Sequence, residues 1–228
     1  MKVPEPGDFI DIHTHEAKPV KGIFALDVCM VHEERAPVDI PGIVCSAGIH
    51  PWFLTEANKT VLLDRLNEFL TYPSIVAVGE AGFDKIKGPS LEIQRIVFEK
   101  QVELSESKEM PLVIHCVRAW DELLMEHKKL KPHMPWLVHG FRGSKDLAVQ
   151  LINKGMYISF WFDFIVRPES SDLVRNLPYD RIFLETDGAD ADIRDIYNKV
   201  SVDLSLEIEA LKKQIRANYF TFFNLNDN

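Results

Sequence analysis

The stretch DFIDIHTH, residues 8–15, decides the fold. An apolar run of strand length ends in two histidines, His13 and His15, one residue apart. Side chains two apart on a strand share a face. The two imidazoles therefore stand together, either as a metal chelate or as two ordinary strand-end histidines. The pair alone does not choose between these; the choice depends on how the other strands end.

Seven further β-rich runs follow: GIFALDVCM (22–30), IVCSAGIHP (43–51), SIVAVGEAG (74–82), PLVIHCV (111–117), WLVHGF (136–141), MYISFWF (156–162) and RIFLETD (181–187). All are nearly continuous apolar stretches, as expected of strands buried on both faces. Amphipathic stretches separate several of them. One covers 91–107, with Leu91, Gln94, Phe98, Gln101 and Leu104 at helical spacing; others cover 144–153 and 203–223. Alternating β and α units predict a parallel sheet, and eight strands predict a TIM-like (β/α)8 barrel. Only Glu16 to Lys21 separate the first run from the second, too few for a helical crossover. The next link, VHEERAPVDIPG (31–42), is rich in proline and reads as loop. The expectation is a barrel lacking its first two outer helices. No linker or repeat divides the chain, so residues 1–228 are read as a single barrel domain.

The run ends carry the chemistry. His13 and His15 end the first run, His50 the third, Glu80 the fourth, His115 the fifth, His139 the sixth and Asp187 the eighth. Barrel enzymes build their active sites at the C-terminal ends of the strands. Any one of these residues reads equally well as a cap or a loop residue, but their joint placement on one rim predicts a metal centre. Four imidazoles and two carboxylates, with His50 set apart, exceed the needs of one zinc and suit two divalent ions sharing a carboxylate. The reaction class is metal-assisted hydrolysis, with magnesium, manganese or zinc as the ion.

Composition bounds the partners. The 228 residues carry a formal charge of −9 with no basic run. A protein that grips a long duplex needs a basic surface, so any nucleic-acid substrate is an end or a short single strand. No apolar run reaches the roughly 20 residues that span a bilayer, and the opening MKVPEPGDF is too polar for a signal peptide. Three scattered cysteines point to a reducing, cytoplasmic setting. No sequence stripe marks a protein partner.

Taken together, DIHTH, GIHPW, AVGEAGFD, PLVIHC, HGFRGS and FLETDGAD resemble, in order, the motifs of the TatD family of metal-dependent deoxyribonucleases in the amidohydrolase superfamily. The closing IRANYFTFF resembles that family's Asn-bearing last helix. The resemblance implies a TIM-like barrel that hydrolyses phosphodiester bonds at DNA ends through a metal-activated water. It implies that His13, His15 and Asp187 bind one metal, that His115 and His139 bind a second, and that Glu80 bridges them. Asp187 and Glu80 are then the catalytic carboxylates, and His50 contacts phosphate or leaving group. The sequence departs from the family where Val117 replaces an arginine, leaving Arg118 one place later, and where Gly188 and Ala189 follow the ETD triplet. Arg118 and Arg142 are the remaining phosphate-binding candidates. The alternatives are a superfamily hydrolase of a small amide, ester or lactone, and a non-catalytic barrel stabilised by metal.

Other residues carry weaker expectations. Asp11 orients a histidine or sits as a buried carboxylate, Asp84 orders the loop after Glu80 or caps the next segment, and Lys145 joins Arg142 at a phosphate or is solvated. Cys116 faces away from the site as a core residue. Phe160, Trp161 and Phe162 are read as packing, whereas Trp52 and Trp120 lie nearer the rim and are better placed to stack a base.

Overall fold

The computed structural model describes every residue except 34, 35, 38, 162–164, 166, 227 and 228, and the side chain of Glu169. Phe162 therefore lies outside the described residues. In chain order the strands are β1 (Phe9–Thr14), β2 (Ile23–Met30), β3 (Ile43–Gly48), β4 (Ile75–Asp84), β5 (Leu112–Val117), β6 (Trp136–Val138), β7 (Tyr157–Trp161) and β8 (Ile182–Glu185). They form one eight-stranded sheet whose spatial order is their chain order. Among the described residues no α-helix joins β1 to β2 or β2 to β3; the second link holds only a 3-10 turn at Val31–Glu33. Seven α-helices are described: α1 (Lys59–Phe69), α2 (Leu91–Lys108), α3 (Trp120–Leu130), α4 (Lys145–Ile152), α5 (Pro168–Arg175), α6 (Ile193–Leu204) and α7 (Ile208–Phe222). None is long and apolar enough to cross a membrane.

The chain gathers into two compact units. The first comprises Met1, Val28–Asp39 and Val44–Val138. In it β3 to β6 pair in parallel. β4 is buried along all ten residues, which explains why its sequence is apolar apart from Glu80 and Asp84. Helix α2 buries Gln94, Val97, Phe98, Gln101 and Val102, spaced three and four apart as one helical face requires. Glycine is obligatory where β4 meets β5. Gly82 has φ +153°, and a Cβ there would stand 1.9 Å from the backbone oxygen of His115.

The second unit comprises Lys2–Asp27, Ile40–Ile43 and His139–Asn228. β1 pairs with β2, and β7 with β8, in parallel. β8 also lies beside β1: the backbone N–H of Asp187 donates to the His13 carbonyl at 3.1 Å. A sheet whose last strand bonds to its first has the topology of a (β/α)8 barrel. Asp11 on β1 reinforces this seam. Its carboxyl accepts from the Thr186 N–H at 3.0 Å and lies 2.7 Å from the Thr186 hydroxyl, which in turn lies 2.8 Å from the Thr14 hydroxyl. Helix α6 is tied to β1 through Tyr197, whose hydroxyl accepts from the Ile10 N–H and donates to the Ile10 carbonyl. Asn218 on α7 donates to the carbonyls of Tyr179 and Ile182 at 2.8 and 2.9 Å. The asparagine of the closing helix thus satisfies backbone groups at the start of β8. Of the amphipathic stretch expected over 203–223, residues 208–222 form α7, and 203 and 204 belong to the end of α6. Helix α6 ends at Leu204 because Ser205 adopts the left-handed conformation, φ +52°.

Two stability predictions follow from these contacts. Burial pushes the Asp11 carboxyl up to about 7 from 3.8, against the lowering by its Thr186 hydrogen bonds. The folded state holds a proton that the unfolded chain releases near pH 4, so stability falls between about pH 4 and pH 7 and levels off above. At about 1.4 kcal/mol per unit, the loss attributable to Asp11 is up to about 4 kcal/mol. Asn at this position keeps both Thr186 contacts without titrating. Urea unfolding in chelator should give Asp11→Asn a flatter pH profile than wild type, and parallel profiles would refute the assignment. Gly82→Ala forces a Cβ onto an immovable carbonyl and should cost at least about 3 kcal/mol. The expected fall in Tm is roughly 6–12 °C; an unchanged Tm would show that β4 and β5 can separate there.

Candidate metal centre

In the first unit the strand ends deliver His50, Glu80 and His115 to one place. Glu80 is 3% exposed and lies within β4 rather than at its end, because that strand runs on to Asp84. His50 Nε2 lies 3.1 Å, and His115 Nδ1 3.0 Å, from the same oxygen, Glu80 Oε1. His50 caps the 3-10 turn Pro51–Phe53, and its Nδ1 accepts the Trp52 N–H at 3.0 Å. A neutral imidazole that accepts at Nδ1 carries its proton on Nε2. His50 therefore donates to Glu80 in this arrangement and is a hydrogen-bond donor of the site rather than a ligand. His115 Nε2 lies 3.2 Å from Asp84 Oδ2.

Asp84 takes the first of its two expected roles, ordering the loop, and also reaches the site. Its Oδ1 accepts from the N–H groups of Ile86 and Lys87, ordering the loop after β4, and its Oδ2 accepts from the Trp52 indole while facing His115. Burial works against its ionisation, but these hydrogen bonds outweigh it and hold the carboxyl below the usual range. Behind these groups stands α2. Gln101 brackets Ile49, accepting from its N–H and donating to its carbonyl, and Gln94 does the same for Asp84. The two glutamines, seven residues apart on one helical face, fix the backbone on either side of the site.

In the second unit His13, His15 and Asp187 come together, as do His139, Glu185 and Asp187. His13 Nε2 and His15 Nε2 lie 3.5 and 3.6 Å from Asp187 Oδ1. Nitrogen and oxygen ligands at about 2.0–2.1 Å from a tetrahedral ion sit about 3.3 Å apart, so the donor set and its spacing both fit a divalent metal. His139 stacks on His13 with ring centres 3.9 Å apart. Burial raises the Asp187 carboxyl, but hydrogen bonding to His13 and His15 and the field of His139 outweigh it and hold it well below the ordinary range. Asp187 has φ +52°, and a Cβ on the following Gly188 would lie 3.1 Å from His15 Cβ, so the turn packs closely on the ligand.

Glu185 was missed by the sequence reading. It is fully buried, lies 3.4 Å from His139 Nδ1, and accepts from the Gly140 N–H at 2.7 Å and from the Ser159 hydroxyl. The available signal was its position two residues before Asp187, a second carboxylate at the end of the same apolar run. Asp11 engages Thr186 rather than a histidine ring. Arg118, at φ +53°, is exposed just after β5. Arg142 is also exposed, with its guanidinium 4.0 Å over the Trp161 ring, and Lys145 bonds to Asn176. Burial pushes the Cys116 thiol far up, in keeping with a core role and not a nucleophilic one.

Residues 32–224 match the family model described as TatD related DNase. Two sequence relatives show the extent of the likeness. The uncharacterized metal-dependent hydrolase YjjV of Escherichia coli is 31% identical over 154 residues, 65% of this chain and 59% of the relative. The 3'-5' ssDNA/RNA exonuclease TatD of Pantoea vagans is 30% identical over 165 residues, 68% and 62%. The matches span about three-fifths of these relatives' length. The crystal structure of E. coli YjjV superposes with a TM-score of 0.80 at 21% identity, covering 97% of this chain and all of that one. The fold is thus the TIM-like barrel, and with 193 consecutive residues matched the chain belongs to the TatD family of metal-dependent hydrolases.

Proposed function

We propose that the chain is a divalent-metal-dependent deoxyribonuclease that cleaves phosphodiester bonds at a short or single-stranded DNA end. In this reading two ions of magnesium, manganese or zinc are held by His13, His15, Glu80, His115, His139 and Asp187, with Glu80 shared. The observation that carries it is Asp187 Oδ1 faced by His13 Nε2 and His15 Nε2 at 3.5 and 3.6 Å, close to the spacing of ligands round one ion. Glu80 Oε1, buried 3.0 Å from His115 Nδ1, has the same chemistry. A divalent ion bound to such donors lowers the pKa of its water and polarises a phosphoryl oxygen. Asp187, kept ionised by its histidines, accepts the proton of the attacking water. His50, protonated on Nε2, donates to a phosphoryl oxygen or to the leaving group. Arg118 and Arg142 contribute charge to the phosphates. A single hydrolase domain in a reducing, cytoplasmic setting completes the proposal.

Metal analysis of the purified protein should give two divalent ions per chain, with activity abolished by chelator and restored by magnesium or manganese. Asp187→Asn should lower kcat on the order of 100-fold or more while the protein stays folded. One ion per chain, or full activity in the variant, would overturn the assignment. Incubation with a single-stranded oligonucleotide should release mononucleotides. Hydrolysis of an amide, ester or lactone panel without DNA cleavage would move the substrate to the wider superfamily, and silence on every substrate and metal would point to a non-catalytic barrel.

A further inference from the structure

The geometry points to a nucleobase-stacking subsite in the first unit, made by the exposed face of Trp52 with Lys87 beside it. The inference rests on the phosphodiesterase reading above and names a part of the substrate that this reading leaves open. Trp52 is 41% exposed, a large aromatic surface left open to solvent.

The indole is held rigidly. Its N–H donates to Asp84 Oδ2, its backbone N–H donates to His50, and its ring stands edge-on to His50 and His115 with centres 4.9 and 5.7 Å away. A flat, fixed π-face one ring's width from two histidines of the metal centre is where the base attached to a reacting phosphate would lie. Its N–H is spent on Asp84, while two-fifths of the residue stays open to solvent. Phe53 is engaged differently, since His32 stacks on it at 3.7 Å.

Lys87 supplies the second element. Its ammonium sits 3.8 Å over the Trp52 ring, and the residue is exposed. A base–indole stack is worth more than an exposed cation–π contact, so a base can displace the cation. The displaced ammonium remains within reach of the neighbouring phosphate. Stacking reads no hydrogen-bond pattern, so the subsite accepts any base and requires that one be present.

The test compares a fluorescein-labelled phosphorothioate oligothymidylate of ten nucleotides with an abasic oligomer of equal charge, by anisotropy on the metal-loaded protein. The wild type should bind the base-bearing oligomer about tenfold more tightly. Trp52→Ala should bring that ratio near one, and Trp52→Phe, which keeps a ring but loses the N–H to Asp84, should retain most of it. Lys87→Ala should weaken both oligomers to a similar degree. A wild type with no preference for bases, or a preference that survives Trp52→Ala, overturns the subsite. Cleavage of unmodified oligothymidylate distinguishes the two readings: cleavage without base preference overturns the subsite alone, whereas absence of both binding and cleavage overturns both.

Discussion

A carboxylate buried in a protein interior is costly unless it is paired and hydrogen-bonded, and Glu80 meets that requirement twice over on one oxygen. Each partner is itself held. The Trp52 N–H sets the tautomer of His50, and Asp84 faces the far nitrogen of His115. Gln101 and Gln94 then fix the backbone at Ile49 and Asp84. Orientation is thus fixed two layers out from the charge, as metal centres require when ligand geometry tunes affinity. Removing an outer member leaves a buried donor or acceptor unsatisfied, which costs more than the bond was worth.

The second unit solves the same problem with a different balance. Asp187 is surrounded by imidazoles and stays ionised, while burial, with Glu185 nearby, pushes Asp11 towards neutrality against the pull of its Thr186 hydrogen bonds. Two carboxyls on neighbouring strands are driven in opposite directions by their surroundings. That separation keeps one an anion among the imidazoles while the other serves as a seam between β1 and β8.

Strand-borne features were legible in the sequence because burial on both faces leaves an unmistakable apolar run, and the residue that breaks the run marks its rim. His13, His15, His50, His115, His139 and Asp187 stand out that way. Glu80 stands out too, but the sequence stops its strand too early, since β4 runs on through Phe83 and Asp84. Glu185 escaped because it sits inside the run it belongs to, and a lone carboxylate in an apolar stretch shows its role only when Ser159 and Gly140 are seen around it. The break at Ser205 was invisible for a related reason. Serine gives no local warning of a left-handed turn, whereas glycine would have. Gln94 and Gln101 were placed on the buried face by spacing alone, but their backbone partners lie 10 and 52 residues away, beyond the range of any periodicity.

Net charge sets how such a site can hold a polyanion. Affinity for a long duplex grows with the number of phosphates neutralised, and a chain at −9 opposes every added contact. A site that works on an end needs few phosphates. It can take its attraction from bound divalent charge, from a small number of local cations such as Lys87, and from the π-face of a base, which is indifferent to the overall field. On the proposed nuclease reading, acidity then has a positive role: it disfavours loading along internal duplex and leaves the chain end, where bases are unstacked and reachable, as the part of the polymer that such a surface can accept.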